Sequence, residues 1–230
     1  MLRMKPVPSG KRAEDYYSAT DGGYYLESTG LRRQWGCSGD ELVAISVGRL
    51  APEKALDLFA SSARAMQAID PGIRVVVVGD GPEMARLEKR NPDFHFAGAR
   101  VGEDLAAHYA SADAFLFPSV TETFGNVVLE AMASGLAVVA YDDAAARMHV
   151  VHAESGLLAP RGDARLFTHL AEMLAHDPAM RLPLGREARS AAMEVPWEKR
   201  FPELEALLIE AAAQPPASKS PASVRAEALR

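Results

Sequence analysis

The sequence holds a single cysteine, Cys37. One thiol closes no internal disulfide and builds no multi-thiolate metal site, so the chain suits a reducing cytosol. Cys37 sits in a polar stretch, Trp35-Gly36-Cys37-Ser38-Gly39, with no histidine nearby, which argues against a nucleophile. No run approaches the roughly 18 apolar residues that a membrane-spanning helix needs. The opening stretch MLRMKPVPSGKR carries prolines where a secretory leader requires a continuous apolar run. A cytoplasmic protein is expected, with peripheral contact at the inner face of the membrane left open. Basic residues are in deficit, 25 against 31 acidic, and the formal net charge of -6 argues against general nucleic-acid binding. There is no Gly-x-x-x-x-Gly-Lys-Ser/Thr phosphate loop, and the six scattered histidines include no His-Glu-x-x-His pair. P-loop chemistry and that type of metal centre are excluded.

What is present is an ordinary globular balance, 48% hydrophobic and 24% charged, sufficient for a core that stands alone. Residues 1–40 are polar and punctuated by Pro and Gly, and read as a linker-like or irregular segment with a short helical patch at Leu31–Trp35. From Glu41 the pattern changes. Apolar, β-branched runs at 42–47, 73–78, 94–97, 114–117 and 136–140 alternate with amphipathic stretches, and a further short strand is expected at Gly156–Ala159. One helix is predicted over 53–68, with Ala55, Leu58, Phe59, Ala63 and Met66 on its apolar face. Strands that are apolar throughout are buried on both faces, and their alternation with helices implies parallel βαβ crossovers. The predicted fold is α/β, a doubly wound, Rossmann-like parallel sheet over 41–195, followed by C-terminal helices. A stripe of Phe167, Leu170 and Leu174 marks one of these, and Phe201, Leu204, Leu207 and Leu208 mark another over 196–211. The Pro- and Ala-rich tail, 212–230, is expected to be disordered.

Ligands of open α/β sheets sit beyond the carboxyl ends of the strands, so the loops there carry the functional reading. The first is Gly48-Arg49-Leu50-Ala51-Pro52-Glu53-Lys54. Gly48 permits a tight exit, and Pro52 suits the turn or first helical positions. Lys54 near a helix start opposes the helix dipole, a conflict that a bound anion shared with Arg49 and backbone amides removes. The alternative is a solvated surface pair, with Lys54 against Glu53 or Asp57. The second loop, Gly79-Asp80-Gly81-Pro82, fails the dinucleotide fingerprint because Met84 occupies the place of a small residue and no acidic ribose partner follows. It reads as a strand-to-helix turn edging the crevice. The pair Asp142-Asp143 follows a strand directly and reads as a turn and helix cap rather than a metal site.

The third loop runs from Phe117 to Asn126, FPSVTETFGN, into the helical stretch VVLEAMA. The helix is expected to start near Phe124–Gly125, with Thr121 or Thr123 as N-cap and its free amides facing the crevice. Glu122 precedes it and Glu130 lies inside it, interrupting an apolar stretch where a buried carboxylate needs a partner. Sugar hydroxyls are suitable, since a carboxylate accepts two vicinal O–H groups. The alternative makes Glu122 an N-terminal decoration and Glu130 a partly exposed helix residue.

Taken in order, VGRLAPEK, GDGP, FAGAR, FPSVTETFGNVVLEAMASGLAVVA and SGLLAPRGD resemble the C-terminal, nucleotide-sugar-binding domain of the retaining GT-B glycosyltransferases, glycosyl transferases group 1 or family 4. The match covers about 42–195, and the wording is similar to bacterial mannosyltransferase-like members. The resemblance implies a hexosyltransferase donor half that takes a sugar from GDP-mannose or a UDP-hexose to a glycolipid or polysaccharide with retention. It assigns Arg49 and Lys54 to the donor diphosphate, beside Gly48, and Glu122 to the transferred sugar. Glu130 is assigned to the ribose diol, and Ala99 and Arg100 to the border of the base. Thr123, Phe124, Gly125 and Asn126 lie along the donor, with the helix amides assisting the two cations. No metal or other cofactor is expected, because the cations neutralise the leaving diphosphate.

Family members also carry an N-terminal Rossmann-like domain of similar size, whereas only about 40 residues precede the first strand here. A fragment, a split-gene subunit, a mis-started frame and a stand-alone binder are all open readings. The acceptor domain would then be a separate domain or subunit, and the isolated chain would bind donor without efficient transfer. The rival reading is a non-catalytic nucleotide-sugar-binding module. A sugar-nucleotide epimerase and a dinucleotide oxidoreductase are disfavoured by the motifs.

Overall fold

The computed structural model describes residues 30–121 and 126–194. The expected helix over 196–211, the tail over 212–230, residues 1–29 of the linker-like segment, and Glu122, Thr123, Phe124 and Gly125 lie outside the described residues.

Six parallel strands form one sheet among these residues: β1 (Val43–Val47), β2 (Arg74–Val78), β3 (His95–Gly98), β4 (Ala114–Phe117), β5 (Ala137–Tyr141) and β6 (Leu157–Ala159). Their spatial order is β3-β2-β1-β4-β5-β6. The helices are α1 (Leu56–Ile69), α2 (Met84–Arg90), α3 (Gly102–Ala110), α4 (Asn126–Ala133), α5 (Ala144–His149), α6 (Ala164–His176) and α7 (Pro178–Met193). Strands begin within a residue of their expected starts. β1, β4 and β5 are buried along their whole length, as continuous apolar runs require. One face of the sheet (Ala44, Val75, Val77, Leu116, Val139) packs on Phe59 and Met66 of α1 and Phe167 and Leu170 of α6. Ser62 of α1 and Thr168 of α6 share a hydrogen bond of 2.9 Å across that layer. On the other face, Tyr109 of α3 meets the ring of Phe115 edge-on at 6.1 Å.

One expectation changes, and another, the helical patch at Leu31–Trp35, is present and gains its partners. The predicted helix over 53–68 is broken: Pro52–Lys54 is a 3-10 turn, Ala55 is left-handed at φ 50°, and α1 starts only at Leu56. A left-handed alanine costs about 1 kcal/mol or more and carries no sequence signal, so the apolar periodicity ran straight through it. The end of the linker-like segment, moreover, is built into the fold. Residues 30–34 are helical, and the Arg32 guanidinium donates to Ser111 O (3.0 Å), Glu41 O (2.6 Å) and Asp113 Oδ2 (3.1 Å). Asp113 Oδ2 also accepts from Val43 N (2.8 Å), which ties the segment to the start of β1. Trp35 is buried against the rings of His95 and His108, and Cys37 is buried with it. Burial pushes the Cys37 thiol up, so it is a weaker nucleophile than a free one.

Candidate functional site

In this strand order the winding reverses between β1 and β4, and the loops leaving those two strands flank the crevice where such sheets bind ligands. Both loops carry motifs singled out in the sequence.

The β1 exit is locked on one side. Gly48 N donates to Val78 O (3.0 Å), Leu50 N to Asp80 O (2.9 Å) and Glu83 N to Leu50 O (3.0 Å). Gly79 and Gly81 have the loop pressed on them: a Cβ at Gly79 would stand 1.8 Å from Gly48 O, and one at Gly81 would stand 2.3 Å from Leu50 O. The Gly79-Asp80-Gly81 turn is therefore a packing device for its neighbour. Gly48 itself, at φ 148°, has nothing within 4 Å of a Cβ position. Beyond it, the 3-10 turn and Ala55 place the half-buried Lys54 one residue ahead of the α1 cap. Asp57, read as one possible partner of Lys54, is taken by Arg86 (2.9 Å) and Arg90 (3.2 Å), and these contacts hold its carboxyl below the ordinary range. Arg49 is exposed and pairs with Glu53 at 3.7 Å.

The β4 exit meets this turn. Thr121 Oγ1 donates to Glu53 O (3.4 Å), so Thr121 bridges the two loops. Ser119 Oγ donates to Thr121 O (3.2 Å). From the β6 exit, Arg161 donates to Val120 O (2.8 Å) and pairs with Asp143 at 3.4 Å. Asp143 occupies the N-cap position of α5, as expected from sequence, but its carboxylate reaches Arg161 rather than a helix amide. Lys54, Glu53, Val120, Thr121, Asp143 and Arg161, with Ala144, line one open cleft of 580 Å³.

The cleft thus brings together Lys54 and the loop leading to Glu122. Gly48 and Arg49 stand at the head of the same β1 loop, Arg49 through its pairing with the cleft-lining Glu53. Ala99 and Arg100 stand apart. They are exposed at the end of β3, two strands from β1, and Arg100 pairs with Asp104 at 3.1 Å. Asn126 is the exposed first residue of α4. Glu130 is exposed too, which decides for the alternative of an exposed helix residue over a buried carboxylate. In α4, Val128, Leu129, Ala131 and Met132 face inward, while Asn126 and Glu130, four residues apart, share the outer face. Its Oε2 accepts a hydrogen bond from the buried Tyr109 hydroxyl at 3.1 Å. Arg161, Asp143 and Tyr109 were missed as site residues. SGLLAPRGD had marked the neighbourhood of Arg161, but a cation whose partner is a backbone carbonyl 41 residues away leaves no local trace. Among the described residues, no three His, Cys, Asp or Glu side chains converge as a metal site, and no helix is long and apolar enough to cross a membrane.

A Rossmann-ordered parallel sheet with a polar cleft over its reversal defines the class of open, doubly wound α/β domains that bind ligands at that point. Within that class the chain belongs to the family described as glycosyl transferases group 1, whose model matches residues 41–177. It is 40% identical over 168 residues to a GDP-mannose-dependent alpha-mannosyltransferase of Mycobacterium tuberculosis, covering 73% of this chain and 42% of that protein. Sucrose-phosphate synthase from Thermosynechococcus elongatus superposes with a TM-score of 0.67 at 26% identity, covering 80% of this chain and 49% of that one. Anabaena HepE, solved in complex with UDP-glucose, shares the fold with a TM-score of 0.67 at 22% identity over 81% of this chain and 53% of its own. The chain therefore spans about half the length of the proteins it matches.

Proposed function

We propose that the β1/β4 cleft is the donor site of a retaining glycosyltransferase that transfers a hexose from a nucleotide-sugar to a glycolipid or polysaccharide acceptor. One observation carries this reading: Lys54 and the loop leading to Glu122 line a single cleft at the point where the sheet reverses. Lys54 and Arg49 take the diphosphate, with Gly48 leaving room for its approach. The positive end of α4, with the amides around Phe124, Gly125 and Asn126, adds to the stabilisation of charge growing on the leaving nucleoside diphosphate. Two cations and a helix start do the work of a metal ion, so none is needed. Thr123 flanks this site, and Glu122 orients the transferred sugar for attack on the same face. Glu130 takes the ribose diol, while Ala99 and Arg100 border the base.

GDP-mannose is the favoured donor because the mycobacterial relative is named for it; a UDP-hexose is the second choice, after the complex of Anabaena HepE. The acceptor is assigned to a separate N-terminal Rossmann-like domain or subunit, in keeping with the chain's share of its relatives' length. A cytoplasmic protein working at the inner face of the membrane fits this assignment. A thermal-shift screen of GDP, UDP, ADP and their sugars tests the donor site. A ligand at a hundred times its dissociation constant adds about 2.7 kcal/mol, a clear rise in melting temperature. No rise with any of them would overturn the reading, and efficient transfer by the purified chain alone would remove the need for a separate acceptor half.

A further inference from the structure

We infer that Tyr109 is a positioning residue for Glu130: it ties up one carboxylate oxygen and presents the other to a nucleoside's vicinal diol. This rests on the donor-site reading above. Glu130 is exposed on the outer face of α4, where an untethered glutamate would sample many rotamers. Tyr109 is only 2% exposed. Its ring is held edge-on against Phe115 at 6.1 Å, and its hydroxyl reaches Glu130 Oε2 at 3.1 Å. A phenol has one proton to give. The only other acceptor recorded for this hydroxyl, Val127 O, lies farther away at 3.5 Å, so the proton is committed to the carboxylate. Burial, reinforced by the charge of Glu130, raises the Tyr109 hydroxyl above its ordinary value, so it stays a donor at every working pH. The result is an exposed carboxylate anchored from beneath at Oε2, which leaves Oε1 outside the tyrosine's single hydrogen bond. Ordering the acceptor before the ligand arrives reduces the entropy lost on binding.

The test uses the full chain and calorimetric dissociation constants for the tightest of GDP, UDP and ADP and for its 2′,3′-dideoxy analogue. The wild type is expected to bind the dideoxy analogue about ten- to a hundredfold more weakly. Tyr109→Phe keeps the ring packing and removes only the hydroxyl. It should narrow that discrimination by about three- to tenfold while leaving the affinity for the dideoxy analogue unchanged. Glu130→Gln should narrow it as well, and adding Tyr109→Phe to it should narrow it no further. Equal weakening of both nucleotides by Tyr109→Phe, or an unchanged ratio, would overturn the positioning role and leave the donor site standing. Absence of binding by the wild type would instead remove the donor site itself, and Tyr109's role with it.

Discussion

The two halves of the sheet's carboxyl rim use the same kind of loop for opposite ends. Over β2 and β3 the rim is closed: Gly79 and Gly81 exist so that the β1 loop can press against them, and Gly79 N extends the contact to Gly98 O at 2.9 Å. Over β4, β5 and β6 the rim opens into the cleft of 580 Å³. Gly48 belongs to both halves. Its amide is bound to Val78 on the closed side, while the space a Cβ would take is empty. The closed half acts as a brace. It fixes the backbone of the β1 loop, which lets the short 3-10 turn carry Lys54 to the open half. Glycine by itself therefore says little, and only the atoms around the missing Cβ tell a brace from a ligand cradle.

The largest expected effect breaks the brace. Gly79→Ala should destabilise the chain by about 3 kcal/mol or more, read as a drop in the denaturation midpoint, because backbone must move to admit the methyl group. Gly48→Ala should cost only about 1–2 kcal/mol from its backbone conformation, yet weaken nucleotide binding. Equal stability losses at the two sites would erase the distinction between the halves. On the open side, Arg161→Ala loses its hydrogen bond to Val120 O and its pairing with Asp143. It should lower stability by about 1 kcal/mol in chemical denaturation. The smallest effect lies away from the rim, at the first residue of β3, where burial, and then the charges of His108 and Arg100, lower the His95 pKa from 6.5. The unfolded chain then binds the proton more readily than the folded one. The stabilisation from neutral His95 is complete above pH 6.5 and lost as pH falls below it toward the depressed value. His95→Gln should flatten the stability profile in that window, and an unchanged profile would contradict the assignment.

The sheet was legible because strands buried on both faces must be apolar throughout, and no helix among the described residues imitates that. Leu42, Ile73, Phe94 and Leu136 are buried yet lie just ahead of their strands, so the expected starts ran one residue early. Helix faces were legible where the period was clean, as at Phe167, Leu170 and Leu174. At Glu130 apolar neighbours on both sides left the inward and outward positions both open, and only the packing of α4 decides for the outward one. The burial of Trp35 and Cys37 was hidden by their polar sequence neighbours, and Trp35 packs on His95 and His108 from distant elements. In the cleft, Lys54 and the β4 loop announced themselves by sitting at strand ends. Arg161, Asp143 and Tyr109 act through partners far along the chain, and no spacing rule reaches that far.

In the proposed donor site a nucleoside diphosphate lies against Lys54, in the open half of the rim. Calorimetric titration of the wild type and of Lys54→Glu, checked for equal melting temperature, addresses it directly. Reversing this one charge should lower affinity for the diphosphate by about a hundredfold. Undiminished binding by Lys54→Glu would place the nucleotide elsewhere and contradict it.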